Sequence, residues 1–166
     1  MSTLHQAFVF DEAGFRRELA PLLDRQDSAA LEHFIDDHRS RLRDPKSDAP
    51  LETGWRETHA ITGFPALAAL ALTAYYDPAA NIGLGGAAEK LRFALMDLYP
   101  EGRVFVGGGA LAVVGGTFQS ADYVAKSVEI LQTLRAENRL KTDVIDPVLS
   151  MLQKAATAGK GLYLTL

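Results

Sequence analysis

The segment from Phe64 to Tyr76 constrains the fold most strongly, because its thirteen consecutive residues carry no charged side chain. A helix that crosses a bilayer needs about twenty apolar residues, so this segment is too short to span one and belongs inside a folded core. Pro65 suits the first turn of a helix. Residues 66–76 are apolar on every helical face, and such a helix is covered by several neighbours. The sequence therefore predicts a buried central helix over 66–76.

The residues before this helix predict a short strand followed by two amphipathic helices. Phe8 and Phe10 alternate as in a strand, and Asp11 is a favourable helix N-cap. Pro21 should bend or shorten the helix that follows, because proline lacks an amide hydrogen and crowds the preceding turn. A second helix is predicted to begin at Asp27 or the next residue, and its apolar stripe comprises Leu31, Phe34, Ile35, His38 and Leu42.

The residues after the central helix predict three more helices and a terminal strand. One helix carries leucines at positions 91, 95 and 98, and another is capped by Ser120. Asp146 and Pro147 resemble an N-cap followed by proline at the first helical position, so the last helix is predicted to begin there. It is expected to end at Gly159, before the alternating Leu162 and Leu164.

These patterns predict one mainly α domain over residues 1–166. We expect a compact arrangement of about six helices around the buried helix 66–76, with room for a small antiparallel β element formed by residues 103–114 and the termini. The composition, 48% hydrophobic and 23% charged, is typical of soluble globular proteins.

The glycine-rich segment 103–116 formally contains a dinucleotide-binding pattern, from Gly107 to Ala112. That function requires a long helix immediately after the pattern, whose N-terminal amides bind the pyrophosphate. Gly115 and Gly116 arrive too early for such a helix, since each glycine costs about 1 kcal/mol in a helix interior. The preferred alternatives are a hairpin of 103–106 with 110–114 that turns at 108–109, or a tightly packed buried loop.

Charge and composition exclude several classes of partner and site. The net charge of −4 disfavours nucleic acid as a partner, because that binding depends on clustered Lys and Arg. The absence of cysteine excludes disulfides, thiol nucleophiles and Cys-ligated zinc. The first ten residues contain no Lys or Arg and do not resemble a secretory or mitochondrial presequence. We therefore expect a cytoplasmic protein that does not insert into a membrane.

The run Trp55, Arg56, Glu57 and His59 is the most site-like part of the chain, because an aromatic, a cation, a carboxylate and an imidazole stand close together. Arg56 could hold an anion, and Glu57 or His59 could act as a general base beside a cleft. The alternative interpretation is that Trp55 anchors a loop to the core while the charged residues face water.

Three further residues complete the candidate binding set: Tyr75, Tyr76 and Asn81. The two tyrosines end the predicted central helix and are expected to bring their phenols towards the surface. The loop around Gly83 follows Asn81 and would form the other wall of a pocket.

The second helix carries a pair of side chains of the kind that bind metals. His33 and Asp37 are four residues apart and could supply two ligands from one helical face. Further ligands are not identifiable, and acidic residues on the outer face of a helix are usually only solvated. We expect no metal and no cofactor, and His38 is expected to lie at the edge of the core with one nitrogen hydrogen-bonded.

Two functions are compatible with these observations. The preferred hypothesis is a small cytoplasmic, non-enzymatic domain that binds a protein partner in an inhibitory, neutralising or scaffolding role. The alternative is an enzyme or small-molecule binder with a pocket between the central helix, residues 55–59 and the loop around Gly83. Pairing of the chain with itself through Ala- and Gly-rich surfaces is also compatible with the sequence.

Overall fold

A computed structural model describes residues 4–58, 63–91 and 109–165. Five helices occupy the first half of the chain, α1 (Glu12–Glu18), α2 (Ala20–Arg25), α3 (Ser28–Asp37), α4 (Trp55–Thr58) and α5 (Phe64–Leu72). Two longer helices follow, α6 (Ala121–Ala136) and α7 (Thr142–Thr157). The described residues also form four strands, β1 (Gln6–Phe10), β2 (Gly109–Leu111), β3 (Gly116–Gln119) and β4 (Gly161–Thr165), and two 3₁₀ helices, Arg39–Arg41 and Ala112–Val114.

The four strands form one antiparallel sheet in the order β1, β4, β3, β2. Tyr163 of β4 lies opposite Phe8 of β1 on one side and opposite Phe118 of β3 on the other. Four of the five β4 residues are buried. The predicted strands at the two ends of the chain are therefore confirmed, and they pair with each other.

Helices cover both faces of this sheet. Phe8 and Phe10 of β1 contribute to one hydrophobic cluster, whereas Ala7 and Val9, which alternate with them along the strand, lie in or against a second. We call the first the aromatic cluster; its main members are Phe8, Phe10, Phe15, Phe34, Ile35, Trp55, Leu70, Leu72, Tyr75, Phe118 and Tyr163. We call the second the aliphatic cluster; its main members are Ala7, Leu91, Val124, Leu131, Ile145, Val148, Leu152, Leu162 and Leu164.

The N-terminal helices form where the sequence predicts them. The Asp11 side chain accepts a hydrogen bond from the Gly14 amide and so caps α1, and the Asp27 side chain accepts one from Ala30 and caps α3. Pro21 lies in the first turn of α2, where its missing amide hydrogen costs no helical bond. The predicted interruption of the first helix is therefore confirmed.

The predicted central helix is shorter and less central than expected. Helix α5 ends at Leu72, because Thr73 donates both its amide and its hydroxyl hydrogen to the Leu70 carbonyl. Its buried residues all belong to the aromatic cluster, on one side of the sheet. The prediction of a buried helix is confirmed, but its placement at the centre of the whole fold is wrong, because the sheet separates the two clusters.

The last helix begins earlier than predicted. Helix α7 starts at Thr142, so Pro147 lies inside it and not at its first position. The bond that this proline cannot make would reach the carbonyl of Asp143, four residues earlier. Both residues are exposed, so water can satisfy that carbonyl. The apolar stripe of α7 continues on both sides of Pro147 and holds the helix against the aliphatic cluster.

The glycine-rich segment forms a hairpin with the residues that follow it, which the sequence did not predict. Strand β2 pairs with β3, and the residues between them form a 3₁₀ turn, Ala112–Val114, and a left-handed glycine, Gly115, with φ of 71°. Residues 103–108 lie outside the described part of the chain, so the predicted pairing of 103–106 and the turn at 108–109 stay predictions. A Cβ at Gly116 would lie 2.5 Å from a Tyr163 ring carbon, so this glycine is required by close packing.

Candidate functional site

Trp55 connects helix α4 to helix α3. Its indole is 2% exposed and belongs to the aromatic cluster. The indole nitrogen donates a hydrogen bond of 2.9 Å to the Asp36 carboxylate. A buried indole N–H requires such a partner. Trp55 thus packs as an anchor that fixes the four-residue helix α4 against α3.

Arg56 lies over the outer side of this anchor. Its guanidinium donates to the carboxylates of Asp36, at 2.9 Å, and Glu32, at 3.2 Å, and its central carbon lies 4.4 Å from the centre of the Trp55 ring. The hydrogen bonds from Arg56 and then from Trp55 hold the pKa of Asp36 below its usual value. Two carboxylates already neutralise Arg56, so it is poorly suited to hold a free anion.

Glu57 is exposed beside this network. Its amide donates to the Gly54 carbonyl, and the residue is not part of the hydrophobic core. His59, the fourth residue of the predicted run, lies outside the described residues. The structure therefore places Trp55, Arg56 and Glu57 on one short helix, and a role for Glu57 or His59 as a general base stays a prediction.

The sequence predicted that Tyr75 lies towards the surface, and this prediction is wrong. Tyr75 is only 3% exposed and belongs to the aromatic cluster. The chain leaves helical geometry after Leu72, and this turns the Tyr75 ring inward. Its hydroxyl donates a hydrogen bond of 2.8 Å to the Glu18 carboxylate. Burial, and then this bond, raise the pKa of Tyr75, while the bond lowers the pKa of Glu18.

Tyr76 packs beside β1 and β4. Its ring centre lies 4.9 Å from that of Phe8 and 5.0 Å from that of Tyr163. Burial raises the pKa of both phenols, that of Tyr163 to about 12. Both hydroxyls therefore stay protonated at neutral pH, and neither is suited to act as a base.

Asn81 binds the edge of the sheet. Its side-chain oxygen accepts hydrogen bonds from the amides of Ala7, at 3.2 Å, and Gly83, at 2.9 Å. A Cβ at Gly83 would lie 2.5 Å from the His5 carbonyl oxygen, so the loop is pressed directly onto β1. The contacts of Asn81 and Gly83 are thus with β1, whereas those of Trp55 and Arg56 are with α3.

His38 lies at the edge of the aromatic cluster, as predicted. Its ring stacks on Phe34, with 4.1 Å between ring centres, and its Nδ1 donates to the Phe34 carbonyl at 2.9 Å. In the part of the chain that the structure describes, no three acidic, histidine or cysteine side chains come together in a way that could hold a metal ion. His33 and Asp37 therefore have no third ligand within those residues.

Sequence reasoning missed the partners of the candidate residues. Glu18 binds Tyr75, and Asp36 and Glu32 bind Trp55 and Arg56. One signal was present: Glu32 and Asp36 are four residues apart, so two carboxylates lie on one face of α3 and suit a cation from another element.

Charge is distributed unevenly between the two sides of the sheet. Residues 11–58 contain twelve acidic and eight basic residues, a net charge of −4, whereas residues 121–160 contain five acidic and six basic residues, a net charge of +1. In the described part of the chain the exposed carboxylates of Asp37, Glu52 and Glu57 form no ion pair. The helices over the aromatic cluster therefore present the acidic surface.

No family model, no curated protein and no solved structure matches this chain. Among the described helices, none has both the length and the apolar character needed to cross a bilayer.

Proposed function

We propose that this chain is a small cytoplasmic, non-enzymatic domain that binds a basic protein partner through the surface of residues 11–58. The observation that carries the proposal is the segregation of charge, because the layer over the aromatic cluster has a net charge of −4, equal to that of the whole chain. Complementary charge of this kind steers association and disfavours other partners.

The centre of the proposed surface is the α3–α4 contact. Arg56 and Trp55 hold the two helices together, and Asp37 and Glu57 directly follow the paired residues Asp36 and Arg56 in sequence. Asp37, Glu57 and the nearby Glu52 are exposed. We call these three residues the acidic patch. Exposed carboxylates that form no ion pair within the described residues complement a basic surface.

The experiment compares two charge variants of the full chain. The first replaces the acidic patch, Asp37→Asn with Glu52→Gln and Glu57→Gln. The matched control removes the same number of charges from the other side of the sheet, Glu129→Gln with Glu137→Gln and Asp143→Asn. Each protein is used to capture partners from the cells that express it, and affinity for a recovered stoichiometric partner is measured by calorimetry at two salt concentrations.

We expect the acidic-patch variant to bind about tenfold more weakly and with less salt dependence, while the control binds like the unmodified protein. Equal binding by both variants would contradict the proposed surface. A metabolite or nucleotide that strongly raises the melting temperature, without a stoichiometric partner, would instead favour the small-molecule alternative.

A further inference from the structure

Residues 81–85, which we call the edge segment, cover the outer edge of β1. The amide of Ile82 donates to the Ala7 carbonyl at 2.8 Å, and the amide of Gly85 donates to the His5 carbonyl at 3.0 Å. The Ala7 amide donates to the Asn81 side chain. Because β1 is the last of the described strands on this side of the sheet, the edge segment satisfies backbone groups that a neighbouring strand would otherwise pair with.

The His5 side chain makes a further bond to the edge segment. The amide of Leu84 donates to Nδ1 of His5 at 3.0 Å, and the imidazole is 1% exposed. A backbone amide can only donate, so Nδ1 is the acceptor and carries no proton. This bond exists only while the imidazole is neutral.

The two described segments that meet at His5 are otherwise uncharged. Residues 4–9 and 81–86 contain no other titratable group, and Ile82, Leu84 and Ala7 belong to the aliphatic cluster. Glu89 and Lys90, on the helical turn that follows, are both exposed. Burial lowers the pKa of His5 below its usual value and outweighs a backbone hydrogen bond of His5 that raises it, as expected where the charged form is poorly solvated.

We propose that His5 is a pH-sensitive latch: protonation of Nδ1 removes the acceptor for the Leu84 amide and releases the edge segment from β1. Release uncovers the His5 carbonyl and the amide and carbonyl of Ala7. Such groups on an edge strand form the surface to which an added strand binds. Acidification therefore opens a β-edge that is closed at neutral pH.

The sign of the effect follows from the lowered pKa. The released state has a pKa near the unperturbed value of 6.5 and binds a proton more readily than the closed state. Closure is fully stabilised above that value and weakens as the pH falls from it towards the lower pKa of the closed state. Within this interval, protection of the edge-segment amides against exchange should fall by up to about tenfold per pH unit.

Hydrogen exchange on the full chain tests the latch. Protection factors, corrected for intrinsic exchange, are measured from about pH 8 to about pH 5 for the amides of Ile82, Leu84 and Gly85. The amides of Phe118 and Tyr163, within the sheet, serve as internal references. We expect selective loss of protection in the edge segment; a constant ratio between the two sets across this pH range would overturn the proposal, and this result needs no variant.

Two variants separate the latch from a merely structural role. His5→Asn offers a side-chain oxygen near the position of Nδ1 and does not titrate, so edge-segment protection should become independent of pH. The control is His38→Asn, because Nδ1 of His38 donates to a carbonyl and that bond survives protonation. Its edge segment should respond to pH like that of the unmodified protein. An unchanged pH response in the folded His5→Asn variant would also overturn the proposal.

Discussion

The two sides of the sheet are filled by different kinds of side chain. Among the described residues the aromatic cluster contains eight buried aromatic rings, whereas the aliphatic cluster contains none. The helices differ as well: those over the aromatic cluster are between 4 and 10 residues long, and α6 and α7 are 16 residues each.

This difference indicates two ways of stabilising a helical layer. Short helices are marginal by themselves, so α1–α5 depend on contacts between distant parts of the chain. Tyr75 and Trp55 each make two kinds of long-range contact. Each buries its ring in the aromatic cluster, and each donates one hydrogen bond to a carboxylate. The pair α6–α7 instead packs through repeated aliphatic side chains on two long helices.

The largest effect is expected from truncating one fully buried residue on each side. Phe10 and Leu152 are both 0% exposed. Phe10→Ala should lower the free energy of unfolding by about 3–5 kcal/mol, since it leaves a cavity. It also removes contacts with four rings, at centre distances of 5.3 to 6.5 Å, those of Phe15, Tyr75, Phe118 and Tyr163.

Leu152→Ala is the matched change in the aliphatic cluster and should cost about 2–5 kcal/mol. We expect the Phe10 variant to lose about 1 kcal/mol more, because ring pairs add to burial. Urea unfolding at neutral pH measures both values. An equal or larger loss from Leu152→Ala would show that the rings act only as bulk hydrophobic volume.

The sequence predicts the aliphatic side more completely. Ser120 caps α6 by accepting from the Tyr123 amide, as expected, and Val124 and Leu131 are buried on its predicted face. A regular stripe over a long helix is a local signal, visible without knowledge of the partner. The error at the start of α7 has a local cause too, because Asp146 and Pro147 imitate a helix start.

The sequence predicts a small β element that includes both ends of the chain, but the order and register of its strands could not be predicted, because strand pairing is not local. Gln6 pairs with Thr165, although the two residues lie near opposite ends of the chain. Strand β3 pairs with β4, although helices α6 and α7 separate them in the sequence. Residues 116–119 also lack a clean alternation of polar and apolar side chains. Nothing in the short segments themselves specifies these partners.

Prediction of the candidate site was limited in the same way, because its residues make contacts with distant parts of the chain. The sequence drew attention to Trp55 and Tyr75, but their carboxylate partners lie 19 and 57 residues away. Residue type indicated that each buried ring would need an acceptor. Only the packing of α3 against α4, and of Tyr75 against α1, determines which carboxylate supplies it.

The two adjacent tyrosines offer a second way to sharpen the comparison. Tyr75→Phe removes a hydrogen bond to Glu18 and should lower the free energy of unfolding by about 1–2 kcal/mol, as expected for a bond to a partly exposed charged group. Tyr76→Phe is the matched control, because the structure gives its hydroxyl no hydrogen bond among the described residues; we expect less than about 0.5 kcal/mol.

The cost of Tyr75→Phe should also depend on pH. The Tyr75 hydroxyl is the largest cause of the lowered pKa of Glu18, whose ordinary value is 4.5. This stabilisation is present above pH 4.5 and is lost as the pH falls through the lower pKa of the folded state. The free energies of unfolding of the unmodified protein and of Tyr75→Phe, measured at neutral and acid pH, should therefore become more similar in acid. If their difference does not shrink, the cost of Tyr75→Phe comes from packing and not from the bond to Glu18.

The smallest effect distinguishes two surface Arg–carboxylate contacts, one on each side of the sheet. Asp36 binds Arg56 over the aromatic cluster, and Asp146 binds Arg135 over the aliphatic cluster, at 2.9 and 2.8 Å. Both carboxylates are almost half exposed, at 44% and 48%, so the ion pairs themselves contribute little. Asp36 differs because it also accepts from the buried Trp55 indole.

Asp36→Ala should therefore cost about 1 kcal/mol more than Asp146→Ala, since it leaves the Trp55 N–H without its acceptor. High salt should reduce the cost of Asp146→Ala towards zero but leave most of the cost of Asp36→Ala, because screening acts on ion pairs and not on the lost indole bond. Urea unfolding at low and high salt measures the cost of each substitution and the part of it that salt screens. Equal, equally salt-sensitive losses would mean that Asp36 acts only as the partner of Arg56, and that burial of the Trp55 ring alone fixes α4.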